Sequence, residues 1–567
     1  RERIRKFTLD VAREAPNPQV RWLASHLFGD GRRSGPEMLL WLPPSWPHYP
    51  LEGFFVGHEQ LSKTLLFSSW AMVPRMVSGL MSYEAERRVQ QHLTEKPDYF
   101  SKRRAGVSED DQSRQLQQRR AVIKLDSGDL ANWSLAYPAR CLADIPLART
   151  SAPLESRLDE LTRHFAKILA PLRVNNRGAQ NSHHWYLFAP MLLDKVHAGW
   201  TDAWFEAVLS ACNLSDGARS RVDEISRRFN QLDELGAMPE DLAHHLARLA
   251  LGSPAVSAYR VLRQLYPDSC LISAASRVAL GFVSLFNSVT GSAIARRLDP
   301  LHPWRGILGY CADGGIQAML EEYCYLLAPD KSPDDVVTVL ENALRTTPSN
   351  VKVWKVDRKQ DDTHLRCHYS VQLGAQKTTD EAGQTRIINI RESFNSPFRP
   401  FVLASTSIGQ EGLDFHWYCS EVMHWNLPSN PIDLEQREGR VNRYQSLVVR
   451  RRVVQAVVKS EKTPENWKAL FASVESPAWG TDLVPYWHYP DGDAKIRRLI
   501  PSLAFSEEAR RHPNMQRILS HYRLAFGQPG QSELVEHLKN LNLDDEALEH
   551  VKSQFLIRLA PVLYKRK

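Results

Sequence analysis

The sequence predicts an α/β protein: a parallel sheet with helices on both faces, interrupted by a large, mostly helical insertion and followed by a helical C-terminal region. Three observations predict it. An apolar strand-like run passes directly into a helical period over 63–90. Strand and helix signals alternate again over 351–458. Between them lies a long stretch that carries only the helical period. Alternating strands and helices mark a parallel sheet, because a parallel crossover needs a helix-length connection.

The elements follow in order. Residues 1–60 join a helix-like start to PEMLLWLPPSWPHYPLEG. Each Pro removes a backbone donor, and Pro43–Pro44 cannot sit inside a helix. This predicts an extended segment packed through Trp41, Trp46 and Tyr49, with a polyproline ligand as the sharper alternative. KTLLFSSW (63–70) is a short apolar strand ending in small hydroxyl residues, and VPRMVSGLMSYEAERRV after it has helical spacing, which together make half of a βα unit. Residues 100–124 are polar, charged and Gln-rich and read as an exposed connection.

From 150 to 345 the period is helical: LESRLDELTRHFAKILAPL and PEDLAHHLARLALGSP place apolar residues at i, i+3, i+4 and i+7. Ser332 is the expected N-cap of SPDDVVTVLENALR. Val278 to Ala295 is the longest uncharged run, but Ser, Asn, Thr and Gly break it and Arg277 and Arg296 bound it. A bilayer span needs about 20 mostly apolar residues, so this run predicts one buried helix. Trp185, Trp200, Trp204 and Trp304 are expected in the core of the insertion. Strand signals return at VKVWKVD (351–357). THLRCHYSVQL and TRIINIRE are expected to pair as a hairpin, and VLASTSIGQEGLDF, EVMHWNL and VVQAVV are expected as further strands. The tail, 505–565, has amphipathic helical spacing.

At 567 residues the chain has room for about three or four domains. With 43% hydrophobic and 24% charged residues, collagen-like and wholly disordered classes are excluded. The net charge of +7 permits a nucleic-acid partner without arguing for one, since only clustered charge would. The seven cysteines form no CxxC, so free thiols in a reducing cytosol are expected. Adjacent histidines, as in His183/His184 and His244/His245, point about 100° apart on a helix and rarely chelate one ion, so no metal site is expected. RERIRKFTLD lacks the apolar core of a signal peptide, and the expectation is a soluble, cytoplasmic protein with no membrane partner. The start at Arg1 rather than Met leads us to expect a piece of something longer.

Two segments carry chemistry. In FVLASTSIGQEGLDF (401–415) an apolar strand runs into Ser405-Thr406-Ser407, then Gly409, Gly412 and Asp414. At the carboxyl end of a parallel strand, small hydroxyls and free N–H groups can face an anionic backbone, glycine lets the main chain approach a ligand closely, and Asp414 can accept from ribose hydroxyls. In PIDLEQREGRVNRYQS (431–446), Arg437, Arg440 and Arg443 recur at three-residue spacing, with Gln436 four residues before Arg440. On a helix that spacing makes Arg440 and Arg443 neighbours on one face. Adjacent guanidiniums repel unless an anion lies between them, and the γ-phosphate of a nucleotide is such an anion. Taken alone, the segment could equally be a solvated basic helix.

These segments resemble motifs V and VI of superfamily-two helicases and translocases, and look closest to Swi/Snf-type ATPases of the RapA-like branch. KTLLFSSW is similar to motif IV, the first strand of the second RecA-like domain, and ESFN (392–395) to the helix before motif V. The resemblance implies a RecA-like sheet built from 61–90 and 346–460, a lead-in over 1–60, a helical insertion over 91–345 and a helical C-terminal region over 461–567. It implies that Arg440 and Arg443 are arginine fingers and that Gln436 senses the nucleotide. Gly412 and Asp414 would lie by the ribose. Ser405, Thr406, Ser407, Ser68 and Ser69 would touch the phosphates of a tracked strand. Such contacts carry little base information, so binding would be salt-sensitive and largely non-specific.

The family holds ATP and Mg²⁺ mainly on a first RecA-like domain, through a G-x-x-x-x-G-K-[ST] loop and an acid pair. This chain has no Gly-Lys dipeptide, and Asp223-Glu224 and Asp544-Asp545 lie in amphipathic helical contexts. The chain alone is therefore expected not to hydrolyse ATP; the first RecA-like domain would come from the same or another chain. The expected nucleic acid is double-stranded DNA. Similar bacterial chains with large insertions point by analogy to antiphage-defence helicases and their subunits. The alternative is a non-catalytic, helicase-like DNA-binding or scaffold subunit, which has no electrostatic reason to keep Gln436, Arg440 and Arg443 together. His416, His424 and Cys419 are expected in packing or hydrogen-bonding roles.

Overall fold

The computed structural model describes residues 2–29, 35–91, 121–174, 182–197, 199–231, 236–345, 349–353, 363–373, 381–406, 413–460, 463–501, 503, 506–524, 530–541 and 543–555. The expected connection over 100–124, apart from its last four residues, lies outside them, as do Ser407 and Gly412.

The strands in chain order are β1 (Lys63–Ser68), β2 (Ser349–Val353), β3 (Thr363–Cys367), β4 (Ser370–Leu373), β5 (Val402–Thr406), β6 (Cys419–His424) and β7 (Arg497–Leu499). Five of them form one sheet in the order β4-β5-β1-β6-β7, and every neighbouring pair is parallel. The α/β architecture predicted from the sequence is therefore the one adopted. β1 lies at the centre, although its nearest sheet partner in the chain is β4, beyond the whole helical insertion.

The inner strands β5, β1 and β6 carry apolar residues on both faces, as a doubly covered parallel sheet requires, whereas the edge strand β7 is Arg-Arg-Leu and only partly buried. Leu66, Val402, Ala404 and Met423 face the large core shared with the insertion and with helix Met72–Gln90. Leu65, Phe67, Leu403 and Val422 face a smaller core closed by Phe394 and Val441. Each such side chain contributes about 1.5–3 kcal/mol when fully buried. Polar residues are buried on these strands too, among them Glu421, His424 and Lys63. The Lys63 amine donates to the carbonyls of Ser393 and Phe398, and burial holds its pKa well below 10.5.

The Pro-rich lead-in packs as predicted. Trp41, Trp46 and Tyr49 are buried. Trp41 meets Tyr310 edge-on at 4.9 Å, and its indole N–H donates to the Gly314 carbonyl at 3.2 Å. Arg399 ties the lead-in to the insertion, donating to the Leu39 carbonyl at 2.9 Å and to Thr290 Oγ1 at 3.1 Å. The described residues from Leu154 to Leu344 form helices joined by turns. Trp185, Trp204 and Trp304 are buried in that core, and Trp200 packs against it. Ser332 caps Pro333–Leu344 with a reciprocal capping box. The described tail is helical over Glu507–Leu524, Gln531–Asn540 and Asp545–Phe555.

Four local expectations are corrected. TRIINIRE is not a strand but part of helix Glu381–Phe394; Ile390 and Phe394, one turn apart, point into the smaller core, while Ile388 is exposed. Accordingly THLRCHYSVQL does not pair with it. Thr363–Cys367 pairs antiparallel with β2, and Ser370–Leu373 joins the main sheet beside β5. VVQAVV lies in helix Leu447–Lys459, where Val449, Val453 and Val457 fall one turn apart and bury together; a shared helical face outweighs the β preference of valine. The uncharged run 278–295 is two buried helices, Ile272–Phe286 and Val289–Leu298, bent by 87°, because Ser288 caps a new N-terminus by accepting from Gly291 N–H. Among the described residues no single helix is long and apolar enough to cross a membrane.

Candidate functional site

The carboxyl ends of β1, β5 and β6 lie side by side, with Ser68 in register with Thr406 and Phe67 with His424. Four of the hydroxyl residues singled out by sequence meet here. Ser68, Ser405 and Thr406 are buried. Ser68 Oγ accepts from the Trp70 N–H at 3.1 Å, and Ser405 Oγ donates to the Thr406 carbonyl at 2.9 Å. Ser69 is exposed. Its N–H donates to Asn426 Oδ1 at 3.0 Å, and the Asn426 amide donates back to Ser69 Oγ. Asn426 was not singled out by sequence; as the first amide after an apolar strand it carried the same signal as Ser68.

The arginine segment begins as a helix, Pro431–Gly439, with Asn430 as N-cap and Pro431 in its first turn. The helix ends at Gly439, so Arg440 is its C-cap and Arg443 lies in the turn beyond. The expectation of Arg440 and Arg443 stacked on one helical face is therefore corrected. Arg437 also leaves the group. It is buried, lies over the Phe67 ring at 5.2 Å, and has Nη1 3.4 Å from His424 Nδ1. Burial lowers its pKa. Gln436 is exposed.

Arg440 and Arg443 are instead tied to the segment that follows β5. The Arg440 carbonyl accepts from Phe415 N–H at 2.9 Å, and among the described residues the buried Arg440 Nε has no hydrogen-bond partner. Arg443 Nε donates to Asp414 Oδ1 at 3.0 Å, with both side chains partly exposed. Asn395 Nδ2 donates to the Asp414 carbonyl at 2.8 Å, so the residue just past helix Glu381–Phe394 holds the same loop. Burial, then the Arg450 and Arg443 charges, bring the His416 imidazole down to about 4, so it stays neutral at pH 7.

Chemically, a buried guanidinium Nε with no partner among the described residues, and a second guanidinium held by one carboxylate oxygen, are each suited to an anion with several oxygens. Among the described residues no group of three or more His, Cys, Asp or Glu side chains is placed to hold a metal ion. The donor set fits a phosphate and not the Mg²⁺ that accompanies it.

Residues 354–445 match the model of the helicase conserved C-terminal domain. That segment is thus similar to a helicase-type motor domain, a class whose members bind nucleic acid and generally hydrolyse ATP. The match includes β4, β5, β6 and helix Pro431–Gly439; the central strand β1 lies outside it. No curated protein and no solved structure gives a significant match to the chain.

Proposed function

We propose that the chain is the second RecA-like motor half of an ATP-dependent helicase or translocase of the Swi/Snf-type, RapA-like kind, acting on double-stranded DNA. The observation that carries this is the Arg443–Asp414 contact, together with an Arg440 Nε that has no partner among the described residues, within the segment that matches the helicase C-terminal model. ATP with Mg²⁺, held mainly by a first RecA-like domain, supplies the phosphoanhydride bond that is cleaved. Arg440 and Arg443 then stabilise the negative charge that builds on the transferred phosphoryl oxygens, an effect worth about 10³–10⁵ in rate in comparable cases. Gln436 senses the nucleotide, and Asp414 and Gly412 lie by the ribose. Ser69, with Ser407, lines the track of the nucleic-acid backbone, and the buried Ser68, Ser405 and Thr406 shape the strand ends that carry it. The same reading places the enzyme in the cytoplasm, with antiphage-defence subunits as partners.

The test is nucleic-acid-stimulated ATP hydrolysis by the protein together with its first RecA-like domain. Arg440→Ala and Arg443→Ala should each abolish turnover and leave DNA binding intact. Turnover that survives both changes sinks the arginine assignment. A complete assembly that binds DNA but never hydrolyses ATP identifies a non-catalytic scaffold instead.

A further inference from the structure

The helical insertion reaches the arginine segment at Gln445, and the backbone there is unusual. Gln445, two residues after Arg443, has φ 49°, a left-handed conformation uncommon for a residue with a side chain. Such conformations persist only where their surroundings over-determine them, and they gather at functional sites. Three contacts do so here. The Gln445 N–H donates to the Tyr486 carbonyl at 2.7 Å. Its carbonyl accepts from Arg450 Nη1 at 2.7 Å. Its side-chain amide donates to the Tyr325 hydroxyl at 2.8 Å.

Tyr325 belongs to the insertion helix Ile316–Leu327. On the same helix, three residues earlier, Glu322 accepts from Arg450 Nε at 2.8 Å, and both side chains are almost wholly buried (0% and 1% exposed). Glu322 also accepts from Ser45 N–H at 2.7 Å and Ser45 Oγ at 2.8 Å. Arg450 Nη2 also donates to the Trp417 carbonyl, and its guanidinium lies over the Tyr418 ring at 5.3 Å. Trp417 lies three residues after Asp414, as Gln445 lies two after Arg443. One buried guanidinium therefore holds both main-chain segments whose side chains form the Arg443–Asp414 pair, and the insertion holds that guanidinium.

We infer that the insertion sets the geometry of the arginine segment, with Glu322, Tyr325 and Arg450 as positioning residues for Arg443. This rests on the proposed function above. Stability alone is a poor reason for the arrangement, since buried ion pairs can often be exchanged for apolar side chains without loss. Positioning is a strong one, because a misplacement of about 1 Å at a catalytic group can cost about a hundredfold in rate.

Two mild variants of the complete protein test it. Tyr325→Phe removes one hydroxyl; Gln445→Gly removes the side-chain hold while making the left-handed backbone easier to adopt. Amide hydrogen exchange over residues 440–446 should quicken in Tyr325→Phe. Its kcat should fall roughly two- to tenfold, the range that one hydrogen bond commands, with KM for ATP unchanged. Gln445→Gly should keep or raise its melting temperature yet lose kcat by roughly ten- to a hundredfold. A purely structural role would make activity follow stability, whereas positioning makes them part. Unchanged exchange in Tyr325→Phe overturns the inference whatever the ATPase does. So does wild-type kcat in both variants while Arg443→Ala is dead. If Gln445→Gly does not fold, Tyr325→Phe decides alone. Loss of the proposed function itself would show separately, as absent turnover in the unmodified protein.

Discussion

Arg443 donates through Nε to the Asp414 carboxylate at 3.0 Å, joining residues 29 positions apart in the chain. Its Nη1 also donates to the Asn442 carbonyl at 3.4 Å, so the guanidinium is aimed from a turn rather than from a helix. Asp414 is held in turn by Asn395, so the orientation of Arg443 depends on three separate segments.

Removing Asp414 should therefore resemble a weakened form of removing Arg443. Arg443→Ala is expected to lower turnover by about 10³-fold or more. Asp414→Ala should lower it by at most about fivefold, because a partly exposed pair is worth at most about 1 kcal/mol. The double variant should be no slower than Arg443→Ala, since residues acting through one contact are not additive. Steady-state ATPase assays on the three variants check this; an additive double variant would separate the two residues.

The Arg450–Glu322 pair should show the asymmetry of buried charge. Glu322→Ala leaves the Arg450 guanidinium buried and unpaired and should cost about 3–5 kcal/mol. Glu322→Met combined with Arg450→Met removes both charges and should recover most of that loss. Urea unfolding midpoints of the two variants measure the difference.

Acid should loosen the arginine helix through Glu438. Burial works to raise this carboxyl, but His424 and the two-pronged contact from Arg498 outweigh it and hold it at about 2, against an ordinary 4.5. Arg498 Nη2 lies 2.8 Å from Glu438 Oε2. A carboxyl depressed on folding stabilises above its unfolded pKa and loses that contribution as pH falls through the folded one. The melting temperature should thus decline between about pH 4.5 and 2, and Glu438→Gln should flatten that part of the curve. A variant with the same acid slope as the wild type would refute the assignment.

Nucleic-acid affinity should depend steeply on salt and little on sequence. Backbone contacts release counterions, with a slope of about −0.9 per phosphate neutralised on duplex DNA. Fluorescence titrations of unrelated duplexes at several salt concentrations should give parallel lines. Sequence-dependent slopes or a flat salt response would point to base contacts instead.

Much of the fold was legible because its signals are local. The strands at 63–68, 402–406 and 419–424 are short apolar runs, and β1 was recognisable although the insertion separates it from every sheet neighbour. The misread windows were the β-branched ones. TRIINIRE and VVQAVV carry valine and isoleucine at spacings that suit either period over so short a length. Only the partners that bury Ile390 with Phe394, and Val453 with Val457, select the helix.

The candidate site divides in the same way. Residue types and their order determined that guanidiniums, an aspartate and small hydroxyls would meet at the carboxyl end of a parallel sheet. They could not determine which would remain available. Arg437 and Ser68 are consumed by packing, Arg440 and Arg443 are kept apart by the end of the helix at Gly439, and Arg450 finds Glu322 at a separation of 128 residues. Periodicity and small-residue loops are properties of neighbours in the chain. Desolvation and ion pairing depend on neighbours in space, and these exist only once the insertion has folded against the sheet.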